Sequence, residues 1–170
     1  MQLPKDFPAP IVIVQHMPPG FTASLAGRLD MLCQIRVKEA QDRDMLSAGW
    51  AYIAPGGYHM TLSKEEGGLR IRLNQSEPRG GHRPSVDTLF ESLLPLTEPK
   101  LHLVIMTGMG SDGAKGMAAL YKRGVQSTIA ESEQTCVVYG MPRSAVELQC
   151  VDYVLPQQDI PAKLMQLVTG

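Results

Sequence analysis

Short unbroken apolar runs alternate along the chain with longer segments whose apolar residues recur every three or four positions. The stretch "IVIVQ" at 11 to 15 stays apolar until Gln15, the pattern of a parallel strand covered on both faces. After Pro18, Pro19 and Gly20, the spacing of Ala23, Leu25, Ala26 and Leu29 predicts a helix ending near Leu32, with Thr22 as its N-cap. Short strands are expected at 34 to 38 and 50 to 53. In "HMTLSKEEGGLRIRLN", two alternating runs flank Glu65 to Gly68 and predict an antiparallel hairpin, because Gly67 and Gly68 can supply positive φ.

From Pro84 the apolar residues Val86, Leu89, Phe90, Leu93 and Leu94 share one helical face, with Pro84 in the first turn and Pro95 as the stop. "LHLVIMT" at 101 to 107 is another buried strand, followed by a helix through Ala114, Met117, Leu120 and Tyr121 that stops at Gly124. "VQSTIA", a short helix near 142 to 148, a brief strand near 152 to 155 and a helix from Asp159 complete the series. Such alternation predicts an α/β fold: a doubly wound, mostly parallel sheet with an antiparallel edge hairpin, in one domain.

Composition removes several classes of function. A formal net charge of -1 with no block of like charges gives no nucleic-acid face and no polybasic membrane patch. Cys33, Cys136 and Cys150 are odd in number and never form a CxxC pair, which argues against a disulfide framework or a zinc site and fits a reducing cytoplasm. The apolar runs fall short of the ~20 residues that span a bilayer, so no membrane insertion is expected. Neither a metal nor an organic cofactor is implied.

In open parallel sheets, ligands bind beyond the carboxyl ends of the strands. That rule selects two loops, "QHMPPGFT" with His16 and "TGMGSDGAKGM" with Asp112. Taken singly, His16 reads as a satisfied polar residue at a strand end, and Asp112 as the N-cap of the helix that follows it. Taken together, a His and an Asp on loops of one sheet edge can be the base and orienter of a hydrolytic triad, whose nucleophile would be the third part. A rival reading exists for the second loop: "GMGSDG", Gly108 to Gly113, matches the dinucleotide fingerprint G-x-G-x-x-G, with Glu131 and Glu133 about 20 residues on. Against it, Asp112 would bring a carboxylate to the place of a pyrophosphate. His82 and Arg83, in "GGHRPSVD", are a solvated basic pair or a binding site for a carboxylate or carbonyl. His59 and His102 carry weaker signals, at a hairpin start and inside a strand.

Five stretches taken together, "QHMPPGFT", "AYIAPGGYHM", "HRPSVDTLF", "TGMGSDGAKGM" and "CVVYGMPR", resemble the bacterial chemotaxis protein-glutamate methylesterases, the CheB-type effector domain. Five motifs in the family's order outweigh one glycine fingerprint. The resemblance implies a doubly wound α/β fold and a Ser-His-Asp triad. It implies hydrolysis of glutamyl methyl esters on the cytoplasmic helices of chemoreceptors, and deamidation of certain glutamines. On this sequence His16 matches the family's catalytic histidine and Asp112 its aspartate. Met109 matches the methionine whose backbone N–H lies near the oxyanion site, and Cys136 falls in a motif placed near the cleft.

The departure is upstream. The family's serine lies in a G-x-S-T-G-G turn after a first strand, ahead of the histidine, but the 15 residues before His16 read "MQLPKDFPAPIVIVQ". The expectation is therefore an N-terminally shortened effector domain without a receiver domain, its nucleophile not in the chain. Loss of a triad nucleophile costs on the order of 10⁶ in kcat by analogy with serine proteases. Ser111, Ser85, Thr22 and Cys136 are the weak candidates to substitute. A missing central strand should leave two exposed sheet edges, or a gap closed by another chain, and hence association through strand edges. The alternatives are a non-catalytic remnant that binds a receptor or partner and, more remotely, a dinucleotide-binding domain.

Overall fold

Strict alternation of side-chain direction along the first strands sends their apolar residues into two separate cores. In the computed structural model, which describes residues 3–170, β1 (Ile11–Ile13), β2 (Arg36–Glu39) and β3 (Trp50–Ile53) form a parallel sheet of order β1-β3-β2. Ile11, Ile13, Ala51 and Ile53 face one core together with Phe7, Ala26 of α1 (Phe21–Leu32), and Leu164 and Val168 of α5 (Ile160–Thr169). Val12, Val14, Tyr52 and Ala54 face the other. A one-residue slip would exchange the two sets, so burial on both faces fixes the register, in which Val12 lies beside Tyr52.

The second core is the larger. It collects Leu89 and Phe90 of α2 (Val86–Ser92), Leu103 and Ile105 of β6 (His102–Ile105), and Met117 and Leu120 of α3 (Ala114–Arg123). The hairpin β4 (His59–Glu65) and β5 (Gly68–Asn74) adds Met60 and Ile71. A second parallel sheet has the order β6-β7-β8, with β7 (Ser127–Glu131) between β6 and β8 (Tyr153–Leu155). α4 (Met141–Glu147) contributes Met141 and Ala145 to the same core. The expected parallel strands are all present, but as two three-stranded halves beside a separate antiparallel pair. Among the described residues, β1 and β6 are each paired on one side, although both contribute to the same core.

Three local expectations are corrected. Gly20, at φ 86, is the N-cap of α1, whereas Thr22 is fully buried. Its hydroxyl donates to Glu39 Oε2 at 2.5 Å and accepts the Gly56 N–H at 3.0 Å. A long-range pair of partners outbids local capping here, because a buried hydroxyl must be satisfied on both sides. Pro84 stands outside α2, whose N-cap is Ser85. Asp112 does not cap α3, which starts from Gly113 in the left-handed region at φ 92; its carboxylate turns instead to α2.

Gly56 shows how close two loops approach. A Cβ there would lie 2.4 Å from the Pro18 carbonyl carbon, so backbone meets backbone with no side chain able to yield. Gly27, exposed within α1, has nothing within 4 Å of the same construction. Gly27→Ala is expected to stabilise the fold by about 0.5–1 kcal/mol. Gly56→Ala should destabilise it by about 1–3 kcal/mol through forced displacement of the 17–19 loop. Urea midpoints of the two variants check this, and equal shifts of one sign would contradict it.

Candidate active site

The chain leaves β1 at its carboxyl end and delivers His16 to the rim of the sheet; β6 delivers the 107–112 loop to the same rim. The two meet across 96 positions of sequence, with His16 Nε2 2.7 Å from Asp112 Oδ2. An ionised carboxylate only accepts, so Nε2 donates to it, and in the neutral imidazole the lone pair is then on Nδ1. Asp112 is itself held from three further directions. Ser85 Oγ donates to Oδ1 at 2.9 Å, Val86 N to Oδ2 at 2.7 Å and Asp87 N to Oδ1 at 2.9 Å. These are the first amides of α2, left unpaired by the helix itself and favourably placed for negative charge.

Burial alone pushes the Asp112 pKa up. The hydrogen bonds from His16, Asp87, Val86 and Ser85 outweigh it and hold the carboxyl at about 2, from 3.8. At neutral pH the group is therefore a fixed anion, suited to orient an imidazole and to stabilise its protonated form.

His82 lies against His16, ring over ring, with centroids 3.8 Å apart and planes 7° from parallel. A cleft of about 240 Å³ opens here, with His16, Met17 and Pro18 on one wall and His82, Arg83 and Pro84 on the other. That is small beside the 300–1,000 Å³ typical of ligand pockets and suits one extended side chain. Arg83 does not point a free charge into it; its guanidinium donates to the carbonyls of Gln75 and Ser76, both at 3.1 Å.

The 107–112 loop is tied to the 136–141 loop. Gly108 N donates to the Val138 carbonyl at 3.0 Å, and Gly140 N and Met141 N donate to the Gly108 carbonyl at 3.1 and 2.8 Å. Buried Glu131 clamps both loops, accepting Thr107 N at 2.8 Å and Thr135 Oγ1 at 2.9 Å. This clamp is not legible in the sequence, where Glu131 figures only by its spacing from the glycine motif. Met109 sits at the loop tip, 79% exposed, and its N–H has no acceptor among the described residues.

The dinucleotide reading is not supported by this arrangement. A Cβ on Gly108 would meet Met141 Sδ at 2.3 Å and one on Gly113 would meet Val86 Cγ1 at 2.6 Å, so packing explains both glycines. Glu131 is already committed, and Asp112 lies across the loop.

None of the substitute nucleophiles hydrogen-bonds to His16 among the described residues. Ser85 is bonded to Asp112 and to Thr88 N, and Thr22 to Glu39 and Gly56. Cys136 has the Glu131 carbonyl as its partner at 3.8 Å, and burial together with the Glu131 charge raises its thiol pKa, the wrong direction for a nucleophile. His59 is buried against the Glu77 carbonyl, and His102 pairs with Ser127.

A family model described as CheB methylesterase matches residues 1–164. The chain belongs to the CheB methylesterase family. A protein-glutamate methylesterase/protein-glutamine glutaminase of Geobacillus kaustophilus is 53% identical over 167 residues, 98% of this chain and 48% of that protein. Its counterpart in Halalkalibacterium halodurans is 58% identical over 153 residues, 90% of this chain and 44% of that protein. The crystal structure of the Thermotoga maritima CheB methylesterase catalytic domain superposes with a TM-score of 0.93 at 47% identity, covering 98% of this chain and 87% of that one. The chain thus spans about half the length of these curated CheB relatives.

Asp112 ionises near 2 in the fold and near 3.8 when exposed, so its stabilising effect is complete only above about pH 5 and is lost as pH falls through 2. The shift corresponds to about 2 kcal/mol. Asp112→Asn is expected to lower the denaturation midpoint at pH 6 and to flatten the decline between pH 5 and 2. Parallel pH profiles of the two proteins would refute that assignment.

Proposed function

We propose that this chain is the hydrolytic domain of a chemotaxis protein-glutamate methylesterase. The observation that carries the reading is the 2.7 Å contact of His16 Nε2 with an ionised Asp112 at the carboxyl ends of two strands. By the family resemblance the nucleophile is a serine carried on a further strand, in a G-x-S-T-G-G turn that this sequence does not contain. Among the described residues β1 and β6 each have an unpaired edge, which supports a further strand pairing there. His16 Nδ1 takes the serine proton as Oγ attacks the glutamyl carbonyl, and the Met109 N–H donates to the resulting oxyanion. The imidazolium, held by Asp112, then protonates the departing methoxide. Methanol leaves, and water hydrolyses the acyl-enzyme by the same route. A glutamine would release ammonia instead, in keeping with the second activity in the relatives' names.

The rim supports a receptor helix as substrate. Phe21, Met109 and Val137 are 61%, 79% and 90% exposed around the carboxyl end of the sheets, an apolar border suited to an amphipathic receptor helix. Among the described residues no helix is long and apolar enough to cross a membrane.

A second reading, a non-catalytic partner-binding remnant, draws on one fact: among the described residues no hydroxyl or thiol hydrogen-bonds to His16. Methanol release from a methylated receptor fragment separates the two. The chain as it stands should be silent, and extension by its native upstream coding sequence should restore release. His16→Ala in the extended protein should lower kcat by about 10⁴–10⁶. Silence of the extended protein would sink the esterase reading.

A further inference from the structure

We propose that His82 is a positioning residue for His16, which rests on the reading of His16 as the base. One hydrogen bond from Nε2 to Asp112 fixes a single atom of the imidazole. The ring's terminal torsion is broad, so the ring can still roll and swing Nδ1 away from the direction of an attacking hydroxyl. The parallel face of His82, 3.8 Å off and inclined by 7°, removes that freedom. The edge of the ring is set by Asp112 and its plane by His82.

His82 can serve as a reference plane because its backbone is restrained. Arg79 and His82 exchange two backbone hydrogen bonds, of 2.9 and 3.0 Å, around Gly80 and Gly81. Both glycines take positive φ, 57° and 82°, as such a two-residue turn requires. The Arg79 guanidinium pairs with both carboxylate oxygens of Glu91 on α2. On the other side, Gly57 N donates to the Arg83 carbonyl at 3.1 Å. The α2 helix that anchors this turn also presents the amides that hold Asp112. Both restraints on His16 therefore have one origin, and motion of α2 carries them together. Face contact with a flat ring is the requirement; an ionisable group at 82 is not.

Carbon relaxation of the His16 ring tests this in the chain as it stands. The wild type and His82→Phe should give a rigid ring, with an order parameter of about 0.85, and His82→Leu and His82→Ala should drop it below about 0.6. Leucine keeps the volume without the flat face, so it decides the matter should alanine fail to fold. Unchanged α2 amide shifts certify that the scaffold is intact. In the upstream-extended protein, His82→Leu should lower kcat about 10- to 100-fold with KM within about twofold, and His82→Phe should recover it. Equal ring order in all four proteins, or a phenylalanine no better than leucine, would overturn the proposal. Absence of methanol release from the extended protein would remove the esterase reading while leaving the relaxation result to judge His82.

Discussion

A buried carboxylate with four donors organises this molecule. Asp112 is nearly enclosed, and an unpaired charge in such a place would be strongly destabilising. His16, Ser85 and the amides of Val86 and Asp87 satisfy it. The four donors come from three demands of the fold: the end of β1, the N-cap of α2 and, for two amides, that helix's first turn. Displacement of any one exposes the charge to an unsatisfied cavity, so the loop after β6, the start of α2 and the end of β1 are locked to one another.

The rest of the rim is built on the same economy of buried polar groups. Thr22 joins Glu39 to Gly56, which brings the 55–57 loop against the Pro18 backbone and so fixes the turn that follows His16. Glu131 joins Thr107 to Thr135 and keeps the 107–112 loop against the end of β7. α2 adds a further link, since Asp87 Oδ1 accepts the Gly116 N–H of α3 at 2.7 Å. A site assembled this way is held by helix termini and strand ends rather than by long loops, which favours precise placement of the reacting groups.

Some of this was legible before any fold was known. The strands and helices could be read because their apolar periods are clean, and His16 and Asp112 stood out because both fall just beyond buried strands. What local reasoning could not supply was partner choice. Asp112 has the sequence context of an N-cap and is in fact a cap, but for α2, roughly 25 residues earlier, and not for the helix it precedes. Thr22 likewise has the context of a cap and is spent on Glu39. Capping patterns identify the chemistry of a side chain, whereas the identity of the helix it serves depends on which terminus packing brings near.

By itself, then, the sequence determined the order and type of the elements, the two loops that carry ionisable groups, and, through five motifs, the family. Burial period and turn chemistry are properties of neighbouring residues, so the chain spells them out. Tertiary structure alone decided that the parallel strands lie in two halves, that Nε2 faces Asp112 and leaves Nδ1 free, and that His82 stacks on His16. These depend on contacts between residues far apart in the chain. They follow from the need to pair buried polar groups while packing distant segments together, a condition no local window of sequence contains.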